Sequence, residues 1–112
     1  MARRHSAAEK LVESEPVFAA LADRTRLRLV ARLSEGGRWS IARLTTGSKV
    51  SRQAVTKHLQ ALAGAGLVRS ERQGREHLWE LHAERLGRVG ADLEAISRQW
   101  DQALERLRRF VE

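Results

Sequence analysis

The stretch that decides the fold is SRQAVTKHLQALAGAGLV, residues Ser51–Val68, which combines a helical core pattern with a face of hydrogen-bonding side chains. Ser51 is a good N-cap residue, and the glycines at 64 and 66 predict the end of the helix. The residues whose spacing turns them to the core are Ala54, Val55, His58 and Leu59. The side chains left facing outward are Arg52, Gln53, Thr56, Lys57 and Gln60. This outward face consists largely of hydrogen-bond donors.

Two helices are predicted upstream of this stretch. Pro16 suits the first turn of a helix that runs through PVFAALA, and Asp23 interrupts it. A second helix, RTRLRLVARLS, continues to the glycine pair at 36 and 37. Its buried face is predicted to carry Leu27, Val30, Ala31 and Leu33. The arginines of the opposite face are Arg24, Arg28 and Arg32.

A short helix and a tight turn complete a two-helix motif. Ser40 is placed to cap a helix over IARLTTG, with Ile41 and Leu44 pointing inward and Gly47 marking the turn. About four residues, GSKV, separate this helix from the one that follows Ser51. Two helices joined by so short a turn form a helix-turn-helix.

The hydrophobic period changes after the second helix of the motif. In LVRSERQGREHLWEL, residues 67–81, the apolar residues lie at the two ends and Gly74 lies in the polar middle. This pattern predicts a short β-hairpin, and the RW pair before Ser40 can add a small third strand. The predicted fold class is therefore mainly α with a small β-hairpin, a winged helix-turn-helix.

A helical period returns at Glu84 and runs nearly to the end of the chain. The apolar residues that step by three or four are Leu86, Val89, Leu93, Ile96, Trp100, Leu104, Leu107 and Val111. We predict a long C-terminal dimerisation helix over 84–112, because one small domain has little core left for so long a stripe. Spacing alone does not exclude a helix that folds back on its own domain. The whole chain, 1–112, is predicted to be one domain, with 1–13 as an N-terminal arm or a frayed helix.

Composition points to a polyanionic partner. The chain has 112 residues, a formal net charge of +7 and a sequence pI near 11.3. Between residues 49 and 75, one acidic residue, Glu71, faces six basic residues: Lys49, Arg52, Lys57, Arg69, Arg72 and Arg75. The absence of cysteine excludes disulfides and thiolate metal sites. With no apolar run behind the basic N-terminus, we expect no membrane anchor and a cytoplasmic, nucleoid-associated protein.

A B-DNA major groove admits one α-helix, and its base edges can be read by Arg, Gln, Lys and Thr side chains. The predicted DNA-binding residues lie on the outer face of the helix, before it and in the hairpin: Ser51, Arg52, Gln53, Thr56, Lys57, Gln60, Lys49, Arg72 and Arg75. Arg52 and Gln53 are assigned to base edges, and Arg72 and Arg75 to the backbone or the minor groove. Phosphate or mixed contacts are assigned to Ser51, Thr56 and Lys57. Weaker candidates are Lys49 and Ser40.

The remaining histidine and tryptophan candidates receive structural roles or none. His58 falls among core positions and is predicted to be packed and hydrogen-bonded, without a metal or catalytic role. Trp79 and Trp100 are assigned to the core or an interface, and Trp39 is ambiguous. Since no Gly-rich phosphate loop or persuasive nucleophile is present, we predict no enzymatic activity, no cofactor and no metal.

The segments ALADRTRLRLVARLS, SRQAVTKHLQALAGAGLV and GREHLWEL together resemble the ArsR family of bacterial winged-helix transcriptional regulators. The resemblance covers Phe18 to Leu81, and the stripe from Leu86 onward resembles the C-terminal helix of a cysteine-poor branch. It implies a homodimeric repressor that binds a palindromic operator and releases it when an effector arrives. The metal-sensing branch places cysteines where this chain has SIARLTTGSKV, so metal, arsenic and sulfide sensing are not expected and the effector is unknown.

The sequence agrees with two possible functions. The first is a sequence-specific DNA-binding transcriptional regulator, a homodimeric repressor whose partner is an inverted-repeat operator in double-stranded DNA. The alternative is a winged-helix protein-interaction or assembly module that acts through its C-terminal helix. Substituting Arg52 and Gln53 separates the two, because the assembly module does not need those side chains.

Overall fold

The computed structural model describes residues 6–111, and over that range the chain forms six helices and three strands. In chain order they are α1 (Ala7–Glu13), α2 (Glu15–Leu21), α3 (Arg24–Leu33), β1 (Trp39–Ser40), α4 (Ile41–Thr45), α5 (Arg52–Gly64), β2 (Val68–Gln73), β3 (Glu76–Leu81) and α6 (Ala83–Val111). The predicted fold class, a mainly helical chain with a small hairpin and a long last helix, is confirmed. Residues 1–5 of the predicted arm and residue 112 lie outside the described residues.

Short polar side chains cap the first turns of α1, α3, α4 and α5. Asp23, Ser40 and Ser51 each accept a hydrogen bond from the backbone N–H three residues ahead, at 3.1, 3.1 and 3.2 Å. Each bond satisfies a donor that has no partner within its own helix. The predicted caps at Ser40 and Ser51 are confirmed. Pro16 lies in the first turn of α2, which begins one residue earlier at Glu15.

The end of α5 turns the chain directly into the hairpin. Gly66 adopts a positive φ of 78°, the Leu67 N–H donates to the Leu62 carbonyl at 3.0 Å, and the Gly66 N–H donates to the Ala63 carbonyl at 2.9 Å. This pair of bonds is the Schellman motif, which satisfies the last carbonyls of a helix. Leu67 is thereby brought into the core.

The three strands form one antiparallel sheet in the order β1-β3-β2. Trp79 is the central residue, since Trp39 of β1 and Ser70 of β2 both pair with it. Between β2 and β3 the chain reverses at Gly74 and Arg75, and the φ of 63° at Gly74 fits the first position of a type II′ turn. The hairpin and the small third strand predicted from the sequence are both present.

The core lies between α2, α3, α4, α5 and the inner face of the sheet. In α3 the buried side chains are Leu29, Val30 and Leu33. The prediction was wrong for Leu27, which is 51% exposed, and for Ala31, which is also exposed. Two apolar stripes are possible on this helix, and the one containing Leu29 faces α2, α5 and β3.

Helix α6 extends away from this core. Within Ala83–Val111 the one buried residue is Val89. Helix α1 packs along α6. The Cα radius of gyration is 18.4 Å, against about 13 Å for a compact chain of this length. The large apolar side chains that α6 exposes are Leu93, Trp100, Leu104, Leu107, Phe110 and Val111. Over the described residues, no helix has the length and apolar content needed to span a bilayer.

Candidate nucleic-acid interface

Helix α5 presents a polar surface directly opposite the side chains it buries. Val55, Leu59 and Leu62 are at most 1% exposed. At 100° per residue, the side chains farthest from these three are Gln53, Lys57 and Gln60, and all three are exposed. The structure therefore brings the predicted reading residues of α5 onto one open face, with Arg52 exposed at its edge.

The inner side of α5 is held to α3 by a polar contact as well as by apolar packing. The Arg26 guanidinium donates from Nε to His58 Nδ1 at 3.2 Å and from Nη1 to the Ala20 carbonyl at 3.4 Å. The prediction that His58 is packed and hydrogen-bonded is confirmed.

Two hydroxyl groups at the start of α5 are already engaged. Ser51 Oγ accepts the capping bond from the Ala54 N–H, which leaves its own hydroxyl hydrogen free to donate. Thr56 Oγ1 donates to the Arg52 carbonyl at 2.9 Å. Thr56 is also half-buried, and its phosphate or mixed contact stays a prediction. Ser51 retains the donor that such a contact requires.

A cleft of about 690 Å³ separates α5 from the hairpin, and we call it the wing cleft. From α5 it is lined by Arg52, Thr56, Gln60 and Ala63, which recur at helical spacing along one flank. The β2–β3 hairpin, which is the wing, lines it with Ser70, Arg75, Glu76, His77 and Trp79. Helix α5 and the β2–β3 hairpin thus form the two walls of one groove, with the Arg52 guanidinium on one wall and the Arg75 guanidinium on the other.

The positive charge of the hairpin is smaller than its sequence suggests. Arg69 pairs with Glu80 at 2.9 Å, and Arg38 pairs with Glu71 at 2.9 Å and with Glu80 at 3.8 Å. Arg69 is therefore neutralised by a partner from the neighbouring strand. The arginines left for an external anion are Arg72, whose Nε–H donates to the Gly74 carbonyl at 3.3 Å, and Arg75 at the turn.

The first helix of the motif is fixed by a stack of two arginines on one tryptophan. The Arg43 and Arg32 guanidinium carbons lie 3.6 and 5.3 Å from the centroid of the Trp39 ring. Arg32 also donates to the carbonyl of Leu44 at 2.7 Å, at the end of α4. Trp39 is buried and donates from Nε1 to the Gly36 carbonyl at 3.0 Å, so the ambiguous tryptophan is a core residue. Trp79 is a core residue too.

The predicted dimer surface on α6 divides into two parts. Val89 is buried in the chain's own core, and the partly buried Leu86 packs against that core. Ile96 is half-buried. The free part begins at Leu93, and Trp100 is 64% exposed. The four residues that remain open are Leu93, Trp100, Leu104 and Leu107.

Sequence reasoning missed the wing residues Ser70, Glu76 and His77. In an antiparallel ladder, paired residues share a face, and alternation along β3 places His77 on the side of Trp79. That alternation was available in the sequence, but the register that aligns it with α5 was not. Over residues 6–111, no group of three His, Cys, Asp or Glu side chains is arranged to hold a metal ion.

Known proteins resemble this chain in sequence and in structure. A helix-turn-helix domain model matches residues 21–71. The arsenical resistance operon repressor of Bacillus subtilis is 30% identical over 92 residues, covering 81% of this chain and 88% of the relative. The arsenic resistance transcriptional regulator of Pseudomonas putida is 32% identical over 68 residues, covering 61% of this chain. That match spans 53% of the Pseudomonas protein, about half of its length.

A solved structure gives the broadest match among these three relatives. An ArsR-like transcriptional regulator from Rhodococcus sp. RHA1 superimposes with a TM-score of 0.79 at 38% identity, covering 90% of this chain and 94% of that chain. These relatives are named as transcriptional regulators or as a repressor, and not as enzymes, which agrees with the prediction from the sequence. The chain belongs to the ArsR family of winged helix-turn-helix transcriptional regulators.

Proposed function

We propose that the chain is a homodimeric repressor that binds an inverted-repeat operator in double-stranded DNA and acts in the cytoplasm, on the nucleoid. The observation that carries this proposal is the open polar face of α5, whose opposite side is fixed in the core by Leu59 and by the Arg26–His58 bond. A helix held this rigidly can enter a groove without reordering its own contacts.

Each part of the surface has a role in this proposal. Arg52 and Gln53 begin α5, so their side chains contact base edges when the helix enters the major groove by its N-terminal end. Lys57 and Lys49 contact phosphates, as does the Ser51 hydroxyl, which is free to donate. The residues that follow the backbone or the minor groove along the wing are Arg72 and Arg75.

Dimerisation is supported by the free stripe on α6. Leu93, Trp100 and Leu104 are 45%, 64% and 55% exposed. Exposure of so much apolar surface to water is unfavourable for a single chain. A second copy offers the same stripe by two-fold symmetry and covers both at once. The two α5 helices then bind half-sites about one helical turn apart. Repression is proposed from the Bacillus subtilis relative, which is named as a repressor.

The test is fluorescence anisotropy with DNA from upstream of the protein's own gene, across a salt series. The variants are Arg52→Ala with Gln53→Ala, and a matched control, Arg98→Ala with Gln102→Ala, on the side of α6 away from its stripe. We expect wild type and control to prefer one sequence and to lose affinity with a slope near −0.9 per phosphate contacted. The α5 variant should lose the sequence preference, by about 1–3 kcal/mol per base contact.

A different result favours the alternative function. Weak binding that is equal on every sequence and unaffected by the α5 substitutions would contradict the repressor. The open stripe of α6 would then be the functional surface of an assembly module. Polar substitutions on that stripe would abolish assembly, and substitutions on the outer face of α5 would not affect it.

A further inference from the structure

A second cleft, of about 520 Å³, lies between α3 and the turn that joins α4 to α5. We call it the turn cleft, and we propose that it binds a phosphate group. Its polar lining comes from Thr25, Arg28 and Arg32 of α3 and from Thr46, Ser48 and Lys49 of the turn. It is separate from the wing cleft, since the two share no lining residue among those the structure describes.

Charge favours an anion in the turn cleft. Two arginines and a lysine line it, Arg28, Arg32 and Lys49, and none of its described lining residues is Asp or Glu. The wing cleft, by comparison, includes Glu76. Cations gathered at a concave surface without a carboxylate attract an anion, and phosphate is a common partner of arginine.

The donors in the turn cleft are also free. Over residues 6–111 the side chains of Arg28 and Lys49 make no hydrogen bond or ion pair, whereas Arg108 and Arg109 of α6 both pair with Glu105. Ser48 Oγ accepts a bond from the Val50 N–H at 3.1 Å and keeps its hydroxyl hydrogen. The cleft therefore offers two unpaired cations and a free hydroxyl.

The wall of the turn cleft is already ordered. Arg32 lies across the end of α4, where its Nη1 donates to the Leu44 carbonyl at 2.7 Å and its Nη2 to the Arg43 carbonyl at 3.2 Å. These bonds hold the Arg32 charge beside the cleft, so a bound phosphate does not have to order this side chain. Arg28 and Lys49 are then the groups that contact the ligand.

A phosphate held by Arg28 and Lys49 would tie α3 to the turn that leads into α5. The position of the recognition helix would then depend on occupancy of the turn cleft. The phosphate has two possible sources: the DNA backbone beside the operator, or a free phosphorylated small molecule. The first source rests on the function proposed above, and the second does not.

The experiment compares wild type with Arg28→Gln, Lys49→Gln and a matched control, Arg24→Gln, which removes a charge from the same helix outside the cleft. Thermal unfolding is followed with pyrophosphate and with sodium chloride at equal ionic strength. If the ligand is a free phosphate, pyrophosphate raises the midpoint temperature of unfolding in wild type and in Arg24→Gln. It then leaves the midpoint temperature of the two cleft variants unchanged.

A second arm measures operator affinity across salt for the same proteins. If DNA supplies the phosphate, pyrophosphate leaves the unfolding midpoint unchanged, and Arg28→Gln lowers the salt slope by about 0.9 relative to Arg24→Gln. Arg28→Gln decides this arm, because Lys49 is already assigned a phosphate contact in the proposed function. If the unfolding midpoint distinguishes neither cleft variant from Arg24→Gln, and the salt slope of Arg28→Gln equals that of Arg24→Gln, the proposal is wrong. The repressor function would still stand in that case if Arg52→Ala with Gln53→Ala abolished operator preference.

Discussion

The folded core and helix α6 use the same kind of sequence pattern for different ends. In the core, apolar residues at helical spacing are buried within the chain, as in Leu33 at 1% and Leu59 at 0% exposure. In α6 the spacing is equally regular, yet Trp100 is 64% and Leu107 59% exposed. Helical periodicity therefore shows which face of a helix is apolar, while the surrounding elements decide whether the chain itself covers that face.

The largest effect is expected from a cavity in the core. Leu59→Ala should lower the free energy of unfolding by about 2–5 kcal/mol, because the side chain is fully buried and its neighbours cannot collapse completely. Leu107→Ala should change it by less than about 1 kcal/mol at concentrations below the dissociation constant of the proposed dimer, because Leu107 is 59% exposed in the single chain. Urea denaturation measures both values. Equal losses at the two positions would show that α6 is covered within a single chain.

A charge on the exposed stripe of α6 should break the proposed dimer and leave the fold intact. Trp100→Glu with Leu104→Glu is expected to raise the dimer dissociation constant at least about 100-fold, since both charges would be buried at the interface. Sedimentation velocity measures the change, and circular dichroism checks that helicity is retained. Gln102→Glu, on the opposite side of α6, is the control and should leave association unchanged. Loss of helicity in the variant would mean that the stripe supports the monomer.

Replacing one serine in the core and one in α6 should give two different, smaller changes in stability. Ser51→Ala should cost about 1 kcal/mol of stability, because the Ser51 hydroxyl satisfies the Ala54 N–H at the start of α5. Ser97→Ala, in the middle of α6, should be neutral or slightly stabilising, because alanine is the better helix former there. Urea denaturation again provides the measurement. A cost at Ser97 equal to that at Ser51 would contradict the capping argument.

The smallest effect is expected at Asp23 and depends on pH. The hydrogen bond from the backbone N–H of Arg26 outweighs the opposing effect of burial and holds the pKa of Asp23 below its ordinary value of 3.8. The ionised carboxylate therefore stabilises the fold at pH values above 3.8, and this contribution disappears as the pH falls through the lowered pKa. The stability difference between wild type and Asp23→Asn should shrink below pH 4. A difference that stays constant from pH 6 to pH 3 would remove the carboxylate from this role.

Local signals in the sequence predicted much of the fold. The caps at Ser40 and Ser51, the helix end before Gly66 and the turn at Gly74 each depend on a few neighbouring residues. The buried face of α3 was predicted wrongly, because Leu27 and Leu29 are equally apolar and distant elements decide between them. Local pattern resolves a helix, but its rotation about its own axis depends on tertiary contacts.

The candidate site follows the same division. The outward face of α5 could be predicted, since it is the complement of the buried stripe along one helix. The pairing of Arg69 with Glu80 and the contact between Arg26 and His58 join residues 11 and 32 positions apart, which no local pattern contains. The turn cleft was missed for the same reason, because Arg28 and Lys49 belong to different elements.

We propose that the core of each chain binds one half-site and that α6 joins two chains. The most direct test of this proposal is the affinity of wild type and of Trp100→Glu with Leu104→Glu for a single half-site and for the full inverted repeat. Wild type should bind the full repeat about 100-fold or more tightly than the half-site, through the effective concentration of the second chain. The variant should bind both duplexes equally, at the half-site affinity. Wild-type affinity of the variant for the full repeat would contradict the account.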